Sequence, residues 1–138
     1  MKIELHKNVR DFLAQPLPHH IGGQSRLNAT GKVINPSDGS VLAEVSLGGA
    51  AEIDLAVVAA AKAFPAWSAL RPNERAVLLH RFADTLEKHA AEIAQLESLD
   101  VGKAIAAAEG FDVPFGIQCL RYFADLSVHA QYSVPLAI

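Results

Sequence analysis

The sequence has 138 residues, of which 51% are hydrophobic and 20% are charged, and it carries a formal net charge of −3. This length suits one domain with a sizeable core. The acidic balance and the scattered Lys and Arg residues argue against nucleic acid as a partner, because phosphate backbones attract clustered basic side chains.

The single cysteine, Cys119, excludes an intrachain disulfide. The opening residues MKIELHKNVR lack the apolar core of a signal peptide. Apolar runs are also shorter than the roughly 18 residues that a membrane-spanning helix needs. These features predict a cytoplasmic protein without a membrane partner.

The first nineteen residues show no sustained hydrophobic period and are interpreted as an arm or a short helix. The segment KVINPSDGSVLAEV then places two β-prone runs around a turn. Pro36 presets φ, Asp38 can bond nearby backbone, and Gly39 tolerates a positive φ. A β-hairpin is expected at about residues 32–46.

From residue 50 onward the apolar period changes to that of a helix. One apolar face recurs every three or four residues, and it comprises Ile53, Val57, Ala60, Ala61 and Phe64. Pro65 is expected to end this helix.

The next helix is expected to begin near Pro72. Its predicted buried stripe is formed by Leu79, Phe82, Leu86, Ala90, Ile93 and Leu96. The stretch is either one long helix or two helices that break near His89. Gly102 is its natural end.

The remaining sequence predicts further helices. The helical region is expected to span about residues 50–128. Residues 103–110 are alanine-rich and helical, and Asp112 is expected to cap a last helix. The buried face of that helix is predicted to comprise Val113, Ile117, Leu120 and Ala124. Residues 132–138 look β-like. The predicted fold class is mainly α with an N-terminal β-hairpin.

Most candidate sites have a simple structural interpretation. Gly102-Lys103 is not a phosphate-binding loop, because Glu97 and Ala104 occupy positions that need glycine and a hydroxyl residue. Lys103 is expected to be solvated. Cys119 has no activating group close in sequence, which favours core packing over a role as nucleophile. The histidines show no zinc-binding spacing.

Glu97 and Asp100 stand three residues apart and therefore share a helical face. Paired carboxylates are one interpretation, and an enzyme built on Glu97, Asp100 and Asp112 is a weaker one, because no nucleophile accompanies them. Alternatively, Glu97 is solvated, and Asp100 sits unfavourably near the unpaired carbonyls of a helix end. A bound cation, or backbone N–H donors from another segment, would explain that position.

Several motifs together resemble the N-terminal part of the NAD(P)-dependent aldehyde dehydrogenase superfamily. In order along about residues 20–126, they are INPSDG, FPAW, LESLDVGK and LRYFA. The resemblance implies a partial α/β fold, the N-terminal part of a cofactor-binding domain. In the family, an activated cysteine attacks the aldehyde, NAD(P)+ accepts hydride, and a glutamate activates water.

The resemblance places the nucleophile, the glutamate, the oxyanion-hole asparagine and the dinucleotide-binding segments C-terminal to the position matched by Ile138. Cys119 does not align with the nucleophile. The chain is therefore expected to bind no cofactor and to have no catalytic residue of its own.

Two kinds of site carry over from the resemblance. Many family members hold a monovalent cation, K+ or Na+, and the matching positions here are Val33, Ile34 and Asp100. Phe115 matches a position that borders the substrate tunnel. One departure is that the family's usual GKP is GKA in this chain, with Ala104 in place of the proline.

Two functions are compatible with these patterns. The first is an N-terminal aldehyde dehydrogenase fragment that is inactive alone, with an arm at residues 1–19 and the family region at 20–138. The alternative is a stand-alone, non-catalytic helical module that binds itself or a full-length homologue. Both predict no NAD-dependent activity in the isolated chain, and they differ in how the chain associates. Exposed apolar faces predict a homo-oligomer, with residues 132–138 available for edge-to-edge pairing.

Overall fold

A computed structural model describes residues 4–130, which form two antiparallel strand pairs and a set of helices. The elements are α1 Lys7–Leu13, β1 His19–Ile21, β2 Gln24–Arg26, β3 Thr30–Ile34, β4 Val41–Ser46, α2 Ala50–Ala69, α3 Pro72–Lys88, α4 Ala90–Val101, α5 Ile105–Ala107, a π-helical segment Ala108–Asp112, and α6 Val113–His129.

This architecture confirms the mainly helical fold with an N-terminal hairpin. The β1–β2 pair, which the sequence did not predict, is a second small hairpin. Over residues 4–130, no helix has the length and apolar character needed to cross a membrane. The pairing predicted for residues 132–138 lies outside the described residues.

The turn between β3 and β4 uses Asp38 and Gly39 as expected, and Asn35 adds a further hydrogen bond. Asn35 Oδ1 accepts a hydrogen bond from the Ser37 amide at 2.9 Å, and Asp38 Oδ1 accepts one from the Ser40 amide at 2.9 Å. Gly39 adopts a φ of +73°, which only glycine reaches without strain. The turn prediction is confirmed.

The β3–β4 ladder contains an irregularity beside its turn. Val33 pairs with Ala43, whereas Ile34 pairs with Val41, so Leu42 has no partner across the ladder. Such a bulge bends the strand and changes the direction of nearby backbone groups.

Helix α1 and the residues before it pack on α4 through a buried side chain and through polar contacts. Val9 is almost fully buried. The backbone amide of His6 donates to Gln95 Oε1 at 2.8 Å, and Asn8 Nδ2 donates to Glu92 Oε1 at 2.6 Å. The part of the predicted arm that forms α1 is therefore attached to the helical body.

Helix α2 does not end at Pro65, so that prediction was wrong. The proline removes the amide donor that would pair with the carbonyl of Ala61. No residue of α2 is buried, however, so water can satisfy that carbonyl. Ser68 Oγ also donates to the Pro65 carbonyl at 3.1 Å, and the helix continues to Ala69.

The next stretch forms two helices, the second of the two predicted alternatives. The break falls at His89, whose φ of −108° and ψ of 14° depart from helical values. Phe82, predicted to be buried, is 54% exposed, while the adjacent Ala83 is fully buried. Leu86, Ala90 and Ile93 pack against the core, so the predicted stripe is confirmed at these positions and wrong at Phe82.

The core lies between α3, α4, the π-helical segment and α6. Its buried members are mostly small, which lets the helices approach closely: Ala83, Ala94, Ala108, Val113 and Ile117. The predicted face of α6 is confirmed, since Val113, Ile117 and Ala124 are buried and Leu120 packs against the core.

Charged side chains join α3 to α6 beside this core. Arg121 donates to Asp84 Oδ1 and to Glu87 Oε2, each at 2.7 Å, and His80 Nε2 lies 2.8 Å from Asp125 Oδ1. The hydrogen bond to Asp84 raises the pKa of the Arg121 guanidinium. These contacts fix how α6 lies along α3.

Gly102 ends α4 as predicted and brings it against the β3–β4 turn. Its φ is +71°, in the left-handed region. A Cβ atom built on Gly102 would lie only 2.9 Å from Pro36 Cγ. Both the backbone conformation and the contact with Pro36 therefore require glycine.

Gly102→Ala is expected to lower the free energy of unfolding by about 1–3 kcal/mol, because it adds left-handed strain to a clash. Urea unfolding followed by circular dichroism measures the change. Gly116→Ala is the control, since nothing lies within 4 Å of its added Cβ and α6 is helical there. That variant is expected to be neutral or more stable by up to about 1 kcal/mol.

Candidate functional site

A cavity of about 400 Å³ lies between the β3–β4 hairpin, α1 and α4, and we call it the hairpin–α4 cavity. Its lining is mainly apolar with two carboxylates at one side: Phe12, Leu13, Leu17, Val33, Leu42, Ala43, Val45, Ile93, Leu96, Glu97 and Asp100. Among these residues none is a cysteine, serine, histidine or lysine. The described lining therefore offers cation ligands rather than a nucleophile.

The structure brings together two of the three residues predicted to hold a cation. Val33 and Asp100 both line the hairpin–α4 cavity, whereas Ile34 is not part of its lining and is 48% exposed. Asp100 forms no hydrogen bond or ion pair within residues 4–130. Backbone N–H donors therefore do not account for its position at the end of α4 in this part of the chain.

Glu97 is the second carboxylate of the cavity, one turn before Asp100 on α4. It also lines a separate cavity of about 300 Å³, together with Asp112 of the π-helical segment. The three carboxylates considered from sequence thus do not share one cavity. Within the described residues, no group of three His, Cys, Asp or Glu side chains is placed to hold a metal.

Asp112 and Lys103 correct two sequence predictions. Asp112 makes no side-chain cap of α6, and its helical φ of −63° continues the preceding π-helical turn instead. Its carboxylate pairs with Lys103 Nζ. Lys103 is therefore an ion-pair partner rather than a purely solvated lysine, and it closes the loop between α4 and α6.

Phe115 lies on the first turn of α6, outside the hairpin–α4 cavity. Its ring stacks on that of Phe111 with centroids 5.2 Å apart and an interplanar angle of 8°. Both rings are more than half exposed. Sequence reasoning missed Phe111, although its four-residue spacing from Phe115 was a signal that the two share a helical face.

Cys119 lies on α6 and is partly buried. No hydrogen bond or ion pair involving its thiol occurs within residues 4–130. Its surroundings in the structure thus supply no activating base.

The described strands do not form a dinucleotide-binding unit. Both strand pairs of residues 4–130 are antiparallel hairpins, whereas the nucleotide-binding crevice of α/β proteins needs parallel strands joined through helices. Residues 4–130 therefore do not form a crevice of this kind by themselves.

Comparison with known proteins identifies the family. The model of the aldehyde dehydrogenase family matches residues 23–136, and the chain belongs to this family. It is 45% identical to human 2-aminomuconic semialdehyde dehydrogenase over 95 residues, which are 69% of this chain and 20% of that protein.

Solved structures give the same result for the fold. A variant of the Bacillus cereus aldehyde dehydrogenase superposes with a TM-score of 0.92 at 33% identity, covering 99% of this chain and 29% of that protein. The NAD+ complex of a Bacillus cereus aldehyde dehydrogenase superposes with a TM-score of 0.87 at 35% identity, covering 91% and 26%. The chain thus spans between a fifth and three tenths of these relatives.

Proposed function

We propose that this chain is the N-terminal segment of the cofactor-binding domain of an aldehyde dehydrogenase and that it has no turnover alone. The main support is the superposition on the Bacillus cereus protein, which covers 99% of this chain but only 29% of that protein. The proposed reaction of the complete enzyme is oxidation of an aldehyde to a carboxylic acid with NAD(P)+. A cytoplasmic location is part of the proposal.

The role of residues 4–130 in that enzyme is structural support. The hairpin, the α3–α6 pair and α4 form a body held by small buried side chains and charged contacts. The only thiol, on Cys119, lies on α6 without an activating group in the described region. The reactive groups of the proposed enzyme therefore belong to polypeptide beyond this segment.

Purified chain is expected to produce no NADH or NADPH above a protein-free blank when mixed with an aldehyde and NAD+ or NADP+. Absorbance at 340 nm measures the product, and intact Bacillus cereus aldehyde dehydrogenase provides the positive control. Turnover that disappears in Cys119→Ser would overturn the proposal.

We also propose a monovalent cation site formed by Val33, Ile34 and Asp100. Support comes from the cavity that Val33 shares with Asp100, and from the absence of a hydrogen bond or ion pair to Asp100 within residues 4–130. Oxygen ligands of this kind suit hard cations. A cation there would offset the unfavourable position of a carboxylate at a helix C-terminus.

If the site binds K+ or Na+, the melting temperature is expected to be about 3–6 °C higher in that salt than in choline chloride, corresponding to about 1 kcal/mol of linked binding. Asp100→Asn should remove the difference, because it keeps the size of the side chain but not its charge. Glu109→Gln, at an exposed position of the π-helical segment, should retain it. Equal melting of the unmodified chain in all three salts would contradict the site.

Phe115 is proposed to border the substrate tunnel of the complete enzyme. The support is its position: the ring projects from the first turn of α6, stacks on Phe111 and remains 52% exposed. A pair of stacked rings offers a flat apolar surface to a substrate or to neighbouring polypeptide.

A second candidate function, the stand-alone module that associates with itself or a homologue, is favoured by the exposed area. The chain exposes 10,053 Å², about 3,000 Å² more than the roughly 6,900 Å² expected for a compact monomer of 14.7 kDa. The eleven residues outside the described range contribute at most roughly 1,700 Å². The remainder exceeds the about 800 Å² that each partner buries in a standard interface.

The isolated chain is accordingly expected to form a dimer or a larger homo-oligomer. Its exposed aromatic side chains on α3 and α6 provide apolar surface for this contact: Phe82, Tyr122 and Phe123. Sedimentation velocity over a hundredfold concentration range measures the assembly. A monomer at the highest concentration would rule out self-association.

A further inference from the structure

A cavity that the proposed sites do not use lies between the β1–β2 hairpin and α2, and we call it the α2 groove. Its volume is about 560 Å³, which falls within the range of about 300–1,000 Å³ that small-molecule sites occupy. The side chains that matter for its chemistry are Ile21, Gln24, Arg26, Leu55, Val58 and Lys62. The groove thus combines apolar walls with two basic groups, and its described lining contains no carboxylate.

The β1–β2 hairpin forms one wall because its turn lies against α2. A Cβ atom built on Gly22, in that turn, would lie 3.4 Å from Ala59 Cβ. Gln24 and Arg26 stand two residues apart on β2, and alternate residues of a strand share one face. Both of these side chains line the groove, so the shared face is the one directed toward α2.

Helix α2 forms the other wall through one of its faces. Leu55, Val58 and Lys62 recur at spacings of three and four residues, which places them on the same side of the helix. Leu55 is 41% exposed and Val58 is 66% exposed, so a dissolved molecule can reach this wall. Apolar surface and a positive charge therefore lie on one accessible face of α2.

The two basic groups of the groove are not neutralised in the described part of the chain. Neither Arg26 nor Lys62 forms an ion pair or a side-chain hydrogen bond within residues 4–130. Glu52, on the first turn of α2, does not line the groove and instead accepts hydrogen bonds from the Gly49 amide at 2.8 Å and from the Asn28 side chain. Two unpaired cations in one concave site attract an anion, although the chain as a whole is acidic.

We propose that the α2 groove binds a carboxylate that carries an apolar tail. The carboxylate accepts charge-assisted hydrogen bonds from Arg26 and Lys62, and Gln24 adds a neutral amide donor. The tail covers Leu55 and Val58 and so removes apolar surface from water. An inorganic anion gains only the charged contacts, which makes the groove selective for amphipathic anions. This inference goes beyond the proposed function and does not depend on it.

Isothermal titration of the purified chain with octanoate at neutral pH, below the micelle concentration, tests the groove. Saturable binding of octanoate is expected. Octanamide has the same tail without the charge, inorganic phosphate has charge without the tail, and each is expected to bind at least about tenfold more weakly. No binding of octanoate, or equally tight binding of octanamide or phosphate, would overturn the inference.

Two variants locate the binding in the α2 groove. Arg26→Gln and Lys62→Gln are each expected to weaken octanoate binding about fivefold, the effect of losing one hydrogen bond from a charged group near solvent. Lys88→Gln is the matched control, because it removes the same charge from an exposed position of α3 outside the groove. All three side chains are exposed, so circular dichroism is expected to show equal helicity.

The comparison of the variants has two results that would contradict the groove. An equal loss of affinity in Lys88→Gln would mean that octanoate responds to the net charge of the chain. Unchanged affinity in both Arg26→Gln and Lys62→Gln would mean that octanoate binds to other apolar surface. Either result would overturn the inference.

Discussion

The contact between the end of α4 and the β3–β4 turn is the constraint on which the rest of the structure depends. Gly102 reverses the chain with a positive φ at a point where Pro36 leaves no room for a side chain. This contact holds the hairpin beside α4 and so forms the hairpin–α4 cavity. It also directs the following loop toward the π-helical segment, where Lys103 meets Asp112.

The helical body is held together by close packing of small side chains and by charged contacts at its edge. Ala83, Ala94 and Ala108 are fully buried, which brings α3, α4 and the π-helical segment together without large interlocking side chains. Arg121 and His80 then connect α3 to α6 at partly exposed positions. Surface ion pairs of this kind add little stability individually, so their main effect is to fix the orientation of α6.

The exposed apolar faces of the molecule are those that its own helices do not pack against. The body of α3, α4 and α6 buries the faces that its own helices share, while α2 contacts the remainder mainly through the β1–β2 hairpin. The aromatic side chains of α6 therefore remain exposed, and so does the apolar face of α2 that contains Ile53, Val57 and Phe64. Exposed apolar surface of this extent is typical of faces that other polypeptide covers.

Local sequence chemistry determined much of the fold. The turn around Asp38 and Gly39, the helix end at Gly102 and the buried face of α6 depend on conformational preference and apolar period, which act over a few residues. Several ordered motifs also identified the aldehyde dehydrogenase family. The prediction from sequence failed at Pro65. The helix loses a backbone hydrogen bond there but is exposed, so water can satisfy the unpaired carbonyl.

What only the tertiary structure decided was which groups meet each other. Apolar period shows which side chains share a helical face but not whether anything covers it. The apolar period therefore could not distinguish the exposed apolar face of α2 from the packed face of α6. It also could not show that Phe82 is exposed while Ala83 is buried. The pairing of Lys103 with Asp112 and the shared cavity of Val33 and Asp100 likewise join residues from separate elements, because long-range geometry, rather than local preference, sets those distances.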